Sequence, residues 1–151
     1  MLWGGLAHAL GGGHPVFVAV GSDGKRAYVA NQIGSVSVVD LDRLAVRATI
    51  PVGRYPAGIA LSLDGQRAYV TNAKSYTDSV EATVDVGNAP AGVAVLSDGK
   101  RAYVAVYEDR VAVIDTATWS VASTIAVGSR PFSVVASPDG KRVYAIRELD
   151  R

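Results

Sequence analysis

Residues 23–31 read DGKRAYVAN, and the chain writes that phrase three more times: DGQRAYVTN at 64–72, DGKRAYVAV at 98–106 and DGKRVYAIR at 139–147. The Asp-Gly pairs begin at Asp23, Asp64, Asp98 and Asp139, so two long steps flank a shorter one. A second landmark, Gly-x-x-Pro, ends at Pro15, Pro56, Pro90 and Pro131 and keeps the same steps. Two landmarks sharing one period identify an internal repeat.

Inside each repeat the pattern has period two, the period of strands. A small-apolar run follows the proline: VFVAV, AGIAL, AGVAV or FSVVA. Asp-Gly then turns the chain, because Asp bonds its own backbone and Gly supplies the positive φ of a hairpin. Ser22, Ser62, Ser97 and Ser137 recur at these turns and read as turn formers. The next strand carries RAYV, whose Arg and Tyr are expected on the flank of a sheet. A third, SVSVVD (35–40) or RVAVID (110–115), ends in an acidic turn. A fourth alternates, with Val46, Ala48, Ile50 and Val52 on one face, or Val121, Ser123, Ile125 and Val127.

Four short antiparallel strands in a full repeat describe a β-propeller blade. The expected fold is therefore all-β: a partial propeller of about three four-stranded blades plus half a fourth, at about 15–55, 56–89, 90–130 and 131–151. Residues 1–13 precede it as a tail or strand remnant. They lack a basic start, and Gly4 and Gly5 interrupt their apolar part, so they do not read as a secretion signal. The second repeat is seven residues short. The gap falls on the third strand, where only AKSYTDS (73–79) stands in place of SVSVVDLDR. That segment must cross the blade height, about 17 Å, with a reach of roughly 23 Å. A vestigial third strand is expected.

RAYVAN and RAYVTN, with Pro-x-Gly-x-Ala before and Val-x-Val-Gly after, resemble the YVTN β-propeller repeat. The resemblance spans residues 12–147. It implies a surface-layer-like or extracytoplasmic protein, although propellers of this look also form lactonases and amine-dehydrogenase subunits.

Composition narrows the chemistry. Fifteen Lys and Arg nearly balance fourteen Asp and Glu, which gives no electrostatic footprint for nucleic acid. No apolar run approaches the roughly 18 residues of a membrane helix. There is no cysteine, and His8 and His14 follow no zinc-binding spacing, so no metal and no cofactor is implied. No catalytic residue set emerges. A protein or small-molecule ligand would meet the face shared by the loops before each inner strand and those between second and third strands. There His14, Arg54, Tyr55 and Arg130 join Lys74, Tyr76, Asp78, Tyr107, Glu108 and Asp109. These positions vary between repeats, as functional loops on a fixed frame do. The expected function is a non-catalytic scaffold or binding module, part of a larger propeller; the alternative is a fragment of a lactonase-like or dehydrogenase-like enzyme. Open blade edges, with Val143 and Ala145 beside the last one, predict self-association.

Overall fold

The computed structural model describes residues 14–74 and 82–148. They form twelve strands and, among the described residues, no helix. β1 (Pro15–Val20), β2 (Arg26–Asn31), β3 (Ser35–Asp40) and β4 (Ala45–Pro51) make the first sheet, ordered as they occur in the chain. β5 (Arg54–Leu61) pairs only with β6 (Ala68–Lys74). β7 (Pro90–Val95), β8 (Arg101–Val106), β9 (Arg110–Asp115) and β10 (Ser120–Ala126) make a second four-stranded meander, and β11 (Pro131–Ala136) pairs with β12 (Val143–Arg147). Every pairing is antiparallel. The molecule is a partial β-propeller of two complete blades, a shortened one between them and a half blade after them.

Inner strands lie side by side, β1 by β5, β5 by β7 and β7 by β11. Each hydrophobic cluster but one spans a blade boundary. Ala30, Val36 and Val52 of blade one meet Ile59 and Val70 of blade two. Tyr69, Val84 and Val86 of blade two cover Ala102, Val104 and Ile114 of blade three. Val134 and Val143 of blade four pack on Ala105 and Val111. Strands apolar on both faces are thus explained by burial between neighbours.

Asp-Gly turns behave as their chemistry requires. Asp23, Asp64, Asp98 and Asp139 each accept the backbone N–H two residues on, at 2.9–3.0 Å. The hydroxyls of Ser62 and Ser137 donate to Asp64 and Asp139 at 2.6 and 2.5 Å and accept the N–H groups of Arg67 and Arg142.

Two features depart from the sequence reading, and a third adds detail to it. The alternation of β4 and β10 does not sort buried from exposed, because these are outermost strands; β10 is exposed along its whole length. Ala145 of β12 is exposed together with its neighbours Tyr144 and Ile146, whereas Val143 packs inward. On blade one the exposed apolar face belongs mainly to β1, through Val16, Val18 and Val20, while Ala27, Val29 and Val39 are buried.

Candidate functional site

Each inner strand enters through the same strained step. His14, Tyr55, Ala89 and Arg130, each directly before a proline, all take positive φ, between 51° and 58°. A left-handed conformation costs a residue with a Cβ about 1 kcal/mol, so the surroundings must hold it. The carbonyl of His14 accepts from Gln32 N–H at 2.9 Å, that of Ala89 from Tyr107 at 3.3 Å and that of Arg130 from Glu148 at 3.3 Å. A register shift follows within each inner strand, placing the proline beside a bulge where its missing N–H is tolerated. These positions vary in side chain yet carry a backbone duty, which the sequence reading had not assigned to them.

The expected ligand face divides in two. Around blades three and four it is a tied network. Arg130 donates its N–H to Asp109 Oδ1 at 3.1 Å and its guanidinium to Glu148 at 3.3 Å, and lies 5.6 Å from the Tyr107 ring centroid. Glu108 accepts from Asn88 at 2.8 Å and pairs with Arg110 at 2.7 Å. Asp109 takes positive φ where blade one has Gly34, a conformation Asp tolerates. Around blades one and two the candidates are spread out. His14 and Tyr55 are exposed, and Arg54 faces Lys74 across the β5–β6 ladder. Tyr76 and Asp78 lie outside the described residues, as does most of the expected crossing segment; Ala73 and Lys74 prolong β6 instead.

A second site was legible only as a deletion. Between blades one and three, outboard of β6, lies a cleft of about 660 Å³, well within the usual range for ligand sites. Among the described residues no strand fills this place, which β3 and β9 take in the complete blades. The lining of the cleft mixes apolar side chains, Val52 of blade one and Val84 and Val86 of blade two with the covered Ala102, Val104 and Ile114 of blade three behind them, and polar ones, among them Thr83 and Asp85. Residues 82–87 join no sheet, having no described third strand to pair with, but still alternate between half-buried and exposed.

One wall is a strand edge. Ser62 N–H donates to the Arg67 carbonyl at 3.0 Å, so Arg67 turns its backbone groups toward β5. Alternation along the strand aims those of Ala68, Val70 and Asn72 at the cleft. The same parity holds in the intact blades, where Leu41 and Thr116 donate to the carbonyls of Lys25 and Lys100, the counterparts of Gln66. At one end of the cleft the Trp119 ring lies 6.1 Å from that of Tyr69, with the Arg67 guanidinium 5.7 Å from it. Trp119 takes φ 54° in the turn between β9 and β10, where blade one has the exposed Leu44 at φ 52°. At the other end sits Asn72, whose Oδ1 is buried without a hydrogen-bond partner, as is that of its counterpart Asn31 in the intact first blade. Aromatic rings at one end, an amide at the other and a mixed lining between them can grip an elongated ligand.

Among the described residues no three His, Asp or Glu side chains are grouped to hold a metal ion, and no helix is long and apolar enough to cross a membrane.

No protein-family model matches the chain, and no curated protein does. Among solved structures, hydrazine synthase of Kuenenia stuttgartiensis is similar with TM-score 0.80 and 31% identity over 89% of this chain and 42% of that one. A functionally unknown protein from Desulfotomaculum acetoxidans is similar with TM-score 0.74 and 19% identity over 91% of this chain and 50% of that one. The chain therefore spans half the length of these proteins or less. In all, 510 solved chains match, so the likeness speaks to architecture rather than to chemistry.

Proposed function

We propose that the chain is a non-catalytic binding module, a YVTN-like propeller segment of extracytoplasmic type, that takes its ligand in the cleft of the shortened blade. The cleft itself carries the reading: a hollow of about 660 Å³ whose lining mixes apolar and polar groups. Trp119 lines it, and the only other tryptophan is Trp3. In a Trp3→Phe background, anilinonaphthalene sulfonate titrated into the protein should quench Trp119 saturably. Quenching that never saturates would overturn the reading.

The likeness to hydrazine synthase at 31% identity favours a second reading, an enzyme fragment or subunit. Stoichiometric metal or turnover of a lactone by the purified chain would decide for it. In either case the exposed faces, Val16, Val18 and Val20 at one flank and Tyr144 and Ile146 at the other, support head-to-tail self-association. The internal blade contacts already join a leading flank to a trailing one in the same way.

A further inference from the structure

The intact first blade shows what stands beside β2, in a place that no described strand fills beside β6. There β3 runs antiparallel to β2, and Asn31 Nδ2 donates to the hydroxyls of Ser35 at 3.2 Å and Ser37 at 2.9 Å. At the far end of the same ladder Asp40 stands opposite Arg26. Blade three repeats the register, with Asp115 opposite Arg101, although the Asp40 carboxylate itself pairs with Arg43 and Arg47. Blade two keeps the receiving half of both arrangements. Asn72 occupies the position of Asn31, and Arg67 that of Arg26 and Arg101. Ala68, Val70 and Asn72 offer the same backbone edge that Ala27, Val29 and Asn31 present to β3.

We propose that the cleft accepts an extended peptide segment of a partner protein, which adds to β6 as an antiparallel third strand. This rests on the binding-module reading and names its ligand class. The segment has hydroxyl side chains at its first and third residues to meet Asn72. Its fourth and fifth residues are β-branched and apolar and point to opposite faces, the fourth on the side of Tyr69 and Val86 and the fifth on the side of Val70 and Val52. Its sixth is an acid at the Arg67 end, in the register position that Asp40 and Asp115 hold in the two sister blades. Main-chain bonds to the edge supply affinity and the side-chain pattern supplies choice, as in other strand additions. Arg67 need not leave Trp119, because the acid adds to a cationic end already there.

The probe is a capped synthetic peptide of this pattern, Gly-Ser-Val-Ser-Val-Val-Asp-Leu, titrated into the Trp3→Phe protein while Trp119 emission is followed. Saturable binding is expected. Replacing both serines by alanine should weaken it about tenfold, and replacing the aspartate by lysine severalfold. A proline in place of the valine directly before the aspartate, whose N–H would face β6 as that of Val39 faces β2, should abolish it. In the protein, Val70→Pro removes an N–H that faces the cleft and not β5, and should abolish binding while the thermal melt stays cooperative. Peptide-side changes carry the test even where that variant fails to fold.

Equal affinity of the parent, serine-free and proline peptides would overturn the proposal. So would Trp119 emission that responds to protein dilution and not to peptide, which would assign the cleft to a strand swapped from a second copy. Dye quenching without peptide binding would sink the peptide alone; the absence of both would sink the binding-module reading as well.

Discussion

Gly58 of blade two lies so close to Ala91 of blade three that a Cβ on Gly58 would come within 2.8 Å of the Ala91 carbonyl oxygen. Gly92 repeats the approach one blade later, at 2.8 Å from the Cα of Ser133. Inner strands therefore meet main chain to main chain. Because backbone cannot swing aside as a side chain tip can, Gly92→Ala should destabilise the chain by about 2 kcal/mol. Urea unfolding would show it as a lower midpoint; an unchanged midpoint would mean the strands can part without cost.

The hydroxyl of Thr71 donates to the Ala91 carbonyl across the same boundary. Thr71→Val keeps the shape and deletes the donor, leaving a carbonyl short of its partner. A loss of about 1 kcal/mol is expected. Thr71→Ser should recover most of it in the same unfolding assay, and failure of serine to do so would assign the effect to packing.

Carboxylates in the turns are held below their ordinary pKa. Asp64 is lowered first by the Ser62 hydroxyl and then by the Gln66 N–H; Asp139 likewise by Ser137 and Lys141. Asp40 is lowered mainly by the Arg43 N–H, and Asp115 by the Thr118 N–H. A carboxylate with a depressed folded pKa contributes stability above its unfolded pKa, and that contribution is lost as pH falls through the folded value. Ser62→Ala should accordingly cost stability at neutral pH, with a gap from the parent protein that narrows in acid. A gap of constant size from neutral pH to about pH 3 would contradict the assignment.

Exchange of amide hydrogens should single out the edge of β6. Val29 and Val104, the counterparts of Val70, are flanked by strands on both sides. Without ligand, the Val70 amide should exchange at least about tenfold faster than either. Equal protection of the three would mean that the edge is covered in the free protein.

Self-association predicts a particle heavier than the 15.7 kDa chain. Light scattering at micromolar concentration reads it directly. Tyr144→Lys with Ile146→Lys should return the mass to that of one chain, and a parent protein already monodisperse near that mass would refute the interface.

The blades were legible in the sequence because their information is local. Asp-Gly turns, period-two strands and the proline landmark each sit within a few residues of what they specify. The shortened blade was legible too, as seven missing residues, but only as a loss. What the loss leaves behind depends on Trp119, which is distant in sequence and unremarkable in its own blade, reaching over Tyr69 and Arg67. No spacing rule announces that contact. The loop candidates failed to converge for a related reason. Variation at His14, Tyr55 and Arg130 looked like freedom, whereas their φ is fixed and only the identity of the side chain varies. Tyr107, Asp109 and Arg130 do come together, because Asp109 happens to take the place of a glycine in its turn and so adds a carboxylate to a shared backbone position.

Close contact along the inner strands also sets how the cleft can respond. Its two walls are bound at the spine by Gly58 against Ala91, so its width is fixed at the inner end before any guest arrives. Such a gap works as a gauge and spends little ordering on capture. Any guest that fits ties the blades on either side together at the rim as well, and by mass action the whole arc then resists unfolding in proportion to how much guest is present. The survival of the protein under heat or protease would become a readout of its partner's concentration.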